Sequence, residues 1–285
     1  MFSADHETSG SALIRYHEKR DHISLLEGIA IRPLQGHHLL PLACAATVLV
    51  FAVPAVAAAQ PECRTENASR QIVEGPTSRI SWRAQLLETA PVYTSASDAG
   101  RRSSSSISPS QAAALLVLAS QNSHGRCWLK VRLPERPNAS AGWINGERVR
   151  LETTSWSIVI SLAARTLTIE HSGTPARRFR VVTGASPTPT PRGLFSIIGT
   201  WRSPPGSFLG SWILGLTAHS DALHHFEGGN GRVGIHGRGG ASLRDPLGSA
   251  DSHGCIRLDN TAIDWIVHTI GGNQLSGISV RVREN

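Results

Sequence analysis

Val233-Gly234-Ile235-His236-Gly237-Arg238 and, after a glycine-rich spacer, Asp251-Ser252-His253-Gly254-Cys255-Ile256-Arg257-Leu258 are the residues on which the reading of this chain turns. A free thiol has a pKa of about 8.5 and is mostly protonated at neutral pH, so chemistry on Cys255 needs a neighbouring base. An imidazole at hydrogen-bond distance is such a base, and His236 and His253 are both candidates. Gly254 has no Cβ, so the chain can turn tightly beside Cys255 with backbone N–H groups left to face a developing oxyanion. Ile256 and Leu258 are expected to anchor this turn in a core. Arg257, between them, then projects the other way, toward a cleft, if the segment is extended. In that case His253 and Cys255 lie side by side on one strand, about 7 Å apart at their Cα atoms, whereas His236 arrives from a separate strand and can approach the thiol face-on.

Working outward, the flanking sequence alternates as strands do. Ile158, Ile160 and Leu162 are expected on one face of a hairpin that turns near residues 163–165 and returns through Leu167 and Ile169. Residues 179–182, 195–198, 212–216 and 233–236 read as further strands, and 277–282 as the closing one. Residues 184–191 carry three prolines and are expected to be a loop, because proline cannot donate to a sheet ladder. The clear helix is late: Ile263, Ile266, Val267 and Ile270 recur at helical spacing, with Asn260 or Thr261 as expected cap and Gly271-Gly272 as the stop. Before this region, residues 81–152 alternate short apolar runs (84–87, 115–118, 128–133, 143–144) with turn-rich segments. That is the pattern of a small β-barrel-like module, with the serine-rich stretch 95–109 expected as a flexible loop.

Residues 236–257 resemble the signature of the bacterial L,D-transpeptidases with a YkuD-type catalytic domain: a His, a spacer of about fifteen residues, then Ser/Thr-His-Gly-Cys, a hydrophobic residue and Asn or Arg. Ser252, His253, Gly254, Cys255, Ile256 and Arg257 fill each later slot. Residues 189–195, the segment leading into His236, and residues 133–143 are similar to members that carry an N-terminal β-module. The resemblance covers roughly residues 80–283. It implies a mainly β fold: a β-sandwich catalytic domain (153–283) with one short C-terminal helix, preceded by the small β-module, and a cleft under a mobile loop. It also implies the activity, a peptidoglycan L,D-transpeptidase. Cys255 would attack a tetrapeptide stem at the bond to its terminal D-Ala, and an amine of a second stem would resolve the thioester. The resemblance further implies His236 as base, oriented by the Gly237 carbonyl. Gly254 and Cys255 would supply oxyanion donors, and Ser252, His253 and Arg257 would shape the site and bind substrate. The Gly-Arg-Gly-Gly run after His236 departs from relatives that have Thr or Ser early in the spacer.

Two other classes share these residues: a thiol L,D-carboxypeptidase that passes the acyl group to water, and a non-catalytic wall-binding module. The last would need a damaged Cys/His set. Imidazole and thiolate are also zinc ligands, but no helical or CxxC spacing links His236, His253, Cys255 and the His224-His225 pair. The site is therefore read without metal or cofactor.

Composition bounds the partners. Apolar residues are 40% and charged residues 17% of the chain, which suits an ordinary globular protein. Basic residues outnumber acidic ones 28 to 21, and 24 to 16 once residues 1–59 are set aside. The excess favours anionic partners, yet no Lys/Arg cluster with interleaved aromatics marks a nucleic-acid groove. Residues 39–59 are uncharged and almost wholly apolar, ending in Val56-Ala57-Ala58-Ala59. Such a stretch is expected to be a signal peptide or a single membrane anchor, with residues 1–38 a polar N-terminal segment and 60–80 a linker. The folded part is then expected outside the cytoplasmic membrane, facing the wall. In that oxidising compartment, Cys63, Cys127 and Cys255 are an odd number, so a Cys63–Cys127 disulfide that leaves Cys255 free is the simplest arrangement.

Overall fold

The computed structural model describes residues 75–97 and 102–285. The expected signal or anchor, Cys44 and Cys63 lie outside the described residues. Two β-regions follow one another. The first holds β1 (Ser81–Leu86), β2 (Ala90–Tyr93), β3 (Arg102–Ile107), β4 (Ala114–Ser123), β5 (Arg126–Arg132), β6 (Ala141–Asn145) and β7 (Val149–Thr154). They form one antiparallel sheet in the order β3-β2-β6-β5-β4-β1-β7. Its core is built from alternate residues such as Ala84, Leu115, Val117, Leu129, Val131 and Ile144, the period-two pattern of a half-buried sheet. The serine-rich segment departs from expectation: residues 102–107 are strand, paired with β2 at Ala90–Ile107 and Pro91–Ser106. Ladder bonds are made by the backbone, so polar side chains do not prevent a strand where a partner edge is available.

The second region holds β8 (Trp156–Ser161), β9 (Thr166–His171), β10 (Thr174–Arg180), β11 (Gly193–Arg202), β12 (Trp212–His219), β13 (Arg232–His236), β14 (Ile256–Arg257) and β15 (Ser279–Arg283), with α1 (Asn260–Ile270) and a single turn, α2 (Gly272–Leu275). The strand order is β10-β9-β8-β15-β11-β12-β13-β14. β11 makes the corner. Residues 193–196 pair with β15, and beyond an irregularity at Ile197 to Gly199 the strand pairs with β12. The two halves of the sheet thereby share one core, with Ile158, Ile160, Leu167 and Ile169 from one half and Leu214, Leu216, Ile235 and Ile256 from the other. α1 packs its apolar stripe, Ile263, Ile266, Val267 and Ile270, into the same core. Its N-cap is Asp259, not Asn260 or Thr261, and the Asp259 side chain makes no cap hydrogen bond; it pairs with Arg238 instead.

The two regions are joined by more than the chain. Ile198 of β11 packs in the core of the first region, the Ala113 N–H donates to the Ile198 carbonyl at 3.1 Å, and the Arg83 guanidinium reaches the Ser276 carbonyl at 3.0 Å. Among the described residues no helix is long and apolar enough to cross a membrane.

Candidate active site

β13 and β14 run parallel, with Ile235 opposite Ile256 and His236 opposite Arg257. Alternation along each strand sends the two isoleucines into the core, where both are fully buried, and puts His236 and Arg257 together on the opposite face. Cys255, one residue before β14, joins that face with its thiol against the Gly234 backbone. Of the cysteines in the described residues, Cys127 is disulfide-bonded and Cys255 carries a free thiol. Cys63, the expected partner of Cys127, lies outside the described residues.

His236 is 2% exposed, and its Nδ1–H donates to the Gly237 carbonyl at 2.7 Å. That bond fixes the ring and makes Nε2 the proton-accepting nitrogen. Burial pushes the imidazole down to about 4, with the Gly237 carbonyl opposing, Arg257 adding to the fall and the Leu209 carbonyl opposing it. The ring is therefore neutral at pH 7. Gly237 is required here by close approach, since a Cβ would fall 2.2 Å from Oδ1 of Asn260. Asn260 staples this corner: Oδ1 accepts from the N–H groups of Ser211 at 3.0 Å and Arg238 at 3.2 Å, and Nδ2 donates to the Arg238 carbonyl at 3.0 Å.

Burial also pushes the Cys255 thiol up. The Gly234 backbone and Arg257 pull it back, and the Glu227 carboxylate adds to the rise. At neutral pH the site thus holds a thiol and a neutral imidazole on one face, not a preformed thiolate. Among the described residues no hydrogen bond joins the Cys255 thiol to either imidazole.

The turn before Cys255 is rigid. The buried Ser252 hydroxyl donates to the Cys255 carbonyl at 2.6 Å and accepts from the Gly254 N–H at 3.1 Å. Gly254 has φ of +113°, which a side chain would strain. From the proline-rich loop, the Thr190 hydroxyl donates to the Gly254 carbonyl and accepts from the Gly184 N–H, both at 2.9 Å. Two expectations are corrected here. Residues 252–257 are not extended throughout: the chain bends at 253–254 and is strand only at 256–257, so His253 swings outward and stacks on Phe226, ring centroids 5.1 Å apart. The Gly254 N–H is committed to Ser252, which leaves the Cys255 N–H as the donor of this pair open to an oxyanion.

Arg257 is 4% exposed. Its guanidinium pairs with the Asp245 carboxylate and lies 4.9 Å from the Phe208 ring centroid. The segment between β12 and β13 forms a lid. Its tip is a turn at Phe226 and Gly229, whose backbones exchange hydrogen bonds at 3.1 and 2.9 Å; Phe226 covers His253, and Glu227 acts on the thiol. His224 and His225 are exposed on this lid. His219 is the buried last residue of β12, 1% exposed, and burial with Arg232 and Arg136 pushes it down to about 4 against the opposing Thr217 backbone. Asp245, Phe208 and Glu227 were not singled out from the sequence, because they stand in loops with no periodicity; Asn260 was expected only as a helix cap, and its place in α1 gave no sign of its bonds to the backbone after His236.

The strand pair thus presents the Cys255 thiol and the carbonyl-oriented His236 ring on one face of a mainly β fold. Residues 155–276 match the family model of the YkuD L,D-transpeptidase catalytic domain. The YkuD protein of Bacillus subtilis strain 168 is 29% identical over 134 residues, 45% of this chain and 72% of that protein. The YkuD protein of Bacillus licheniformis is 31% identical over 109 residues, 38% of this chain and 56% of that protein. Among solved structures, L,D-transpeptidase 3 from Mycobacterium tuberculosis with a faropenem-derived adduct aligns at 14% identity and a TM-score of 0.35, over 56% of this chain and 91% of that one. Residues 155–276 are thus similar to the YkuD L,D-transpeptidase catalytic domain.

Proposed function

We propose that this protein is an exported peptidoglycan L,D-transpeptidase that transfers the acyl group of a tetrapeptide stem to an amine through a thioester on Cys255. The observation that carries the reading is the neutral His236 ring, its Nδ1–H held by the Gly237 carbonyl, on the face that carries the free Cys255 thiol. His236 Nε2 takes the thiol proton as Sγ attacks the carbonyl carbon at the L-centre of diaminopimelate. The Cys255 N–H donates to the oxyanion. The C–N bond to D-Ala then breaks, the leaving amine takes the proton back from the imidazolium, and the thioester remains. An acceptor amine attacks this thioester, its proton passes to His236 and on to the departing sulfur, and the new peptide bond leaves the thiol restored. A proton shuttle of this kind contributes about a hundredfold to ten-thousandfold in rate.

The basic balance of the folded part suits an anionic wall polymer, and the apolar run 39–59 supports delivery across the membrane. Incubation of the protein with purified disaccharide-tetrapeptide, read by mass spectrometry, tests the reading. Cross-linked dimer with release of D-Ala is expected. Tripeptide alone would assign a carboxypeptidase, and neither product would remove the activity.

A further inference from the structure

The lid over the cleft is held from outside its own domain. Residues 133–140 of the N-terminal module, the connection between β5 and β6, lie against the two roots of the lid and leave a cavity of about 370 Å³ walled by Pro134 and Arg136 on one side and His219 and Asn230 on the other. The Arg136 guanidinium gathers three lid carbonyls: Nη1 donates to Ser220 at 2.8 Å, and Nη2 to Leu223 at 3.0 Å and Asn230 at 3.2 Å. Ser220 and Leu223 belong to the outgoing root and Asn230 to the returning one, so a single planar group ties both ends together. Asn138 pairs with His219 as a strand residue would, its Oδ1 accepting from the His219 N–H at 2.8 Å and its Nδ2 donating to the His219 carbonyl at 2.7 Å. Nδ2 also donates to the Asp221 carboxylate at 2.8 Å. Arg232, at the far root, reaches back to the Pro134 carbonyl at 3.1 Å.

The lid's own contacts are sparse by comparison. Residues 224–230 are exposed, and the tip turn is closed by two backbone bonds between Phe226 and Gly229. Elements with few buried contacts open at low free energy, so their resting position is set by what holds their ends. Here the ends are held by one backbone bond of their own, from the Ser220 N–H to the Gly231 carbonyl at 2.8 Å, and by the module, and the tip they aim carries Phe226 onto His253 and Glu227 toward the thiol.

We propose that the N-terminal module positions the lid over Cys255 through Arg136 and Asn138, which makes both of them positioning residues for acyl transfer and the module a working part of the cleft. This rests on the reading of Cys255 as nucleophile for its effect on turnover, but not for its effect on the lid. The test uses the full chain. Arg136→Ala removes three of the bonds that hold the roots and leaves the Ser220–Gly231 backbone bond; Asn138→Asp keeps the acceptor for the His219 N–H, loses the donor, and faces Asp221 with a like charge. Limited digestion with a Glu-specific protease, with the cut after Glu227 followed by mass, reads lid opening directly, and near-UV circular dichroism reports whether the module remains folded. Each hydrogen bond to a charged donor is a substantial fraction of the free energy of local opening, so cleavage after Glu227 is expected to accelerate about tenfold in either variant with the dichroism unchanged. Turnover of disaccharide-tetrapeptide should fall with KM raised. Because the effect passes through the lid tip, it should be largely lost in a Phe226→Ala background, a non-additivity that a merely structural role does not give. Unchanged cleavage in folded variants, faster cleavage with unaltered turnover, or additive effects with Phe226→Ala would each overturn the proposal. Absence of turnover in the parent protein would overturn the assignment of Cys255 and still leave cleavage after Glu227 to judge the clamp.

Discussion

The strand pair β13–β14 and the lid that leads directly into β13 are built on opposite terms. In the strand pair His236, Ser252 and Arg257 are between 0% and 4% exposed, and each side chain has a hydrogen bond or ion pair that fixes it. In the lid, residues 224–230 are exposed and depend on groups elsewhere for their position. The proposed chemistry falls on the buried, fully bonded part and access on the exposed part. Geometry at a reacting centre must hold within fractions of an ångström, whereas a cover needs only to open and close.

The largest expected effect that sharpens this contrast is on stability against pH. His236 and His219 are both buried neutral, at about 4, below an unfolded value of about 6.5. Between those values the unfolded chain binds more protons than the folded one. Stability is therefore full above about pH 6.5 and falls as pH drops toward about 4, by on the order of 3 kcal/mol for each ring. Urea unfolding at stepped pH measures this, and His219→Asn should lower the slope. A flat profile would show that the strand pair is not sealed from water.

A smaller effect comes from Ser252→Ala, which leaves the Gly254 N–H and the Cys255 carbonyl without their hydroxyl partner. The cost is about 1–3 kcal/mol of stability, and because the turn places Cys255, acylation should slow more than the stability loss alone explains. Equal loss of stability with normal acylation would move Ser252 out of the site. The smallest expected effect is on the lid: Phe226→Ala removes the cover from His253. Loss of one aromatic pair is about 0.5–1.5 kcal/mol, so turnover should fall a few-fold while the melting temperature stays close to that of the parent. Separately, Cys127 is disulfide-bonded, and non-reducing peptide mapping is expected to recover it joined to Cys63; two free thiols at these positions would contradict that pairing.

The strand pair was legible in the sequence because it obeys local rules. Ile235, Ile256 and Leu258 alternate with His236 and Arg257, and such alternation survives in the fold. The α1 stripe was legible for the same reason. What lay beyond reading was contributed by segments without a period. Asp245 and Phe208 come from separate loops to meet Arg257, and Asn260 reaches from a helix start to the backbone after His236. The serine run at residues 102–107 misled because strand formation there depends on an edge offered by β2, which composition does not encode. Gly254 signalled a tight turn in the sequence, but not that the bend carries His253 off the extended path and onto Phe226.

The central claim is that His236, from the neighbouring strand, serves Cys255 as base and that His253 does not. It is tested most directly by the rate at which a carbapenem acylates Cys255, followed by intact-protein mass with the adduct mapped by peptide digestion, in the parent, His236→Ala and His253→Ala proteins. The account predicts one adduct on Cys255 in the parent, slowing of about a hundredfold or more in His236→Ala, and a rate within a few-fold of the parent in His253→Ala. A fast adduct in His236→Ala with a lost one in His253→Ala, or an adduct on any residue other than Cys255, would contradict it.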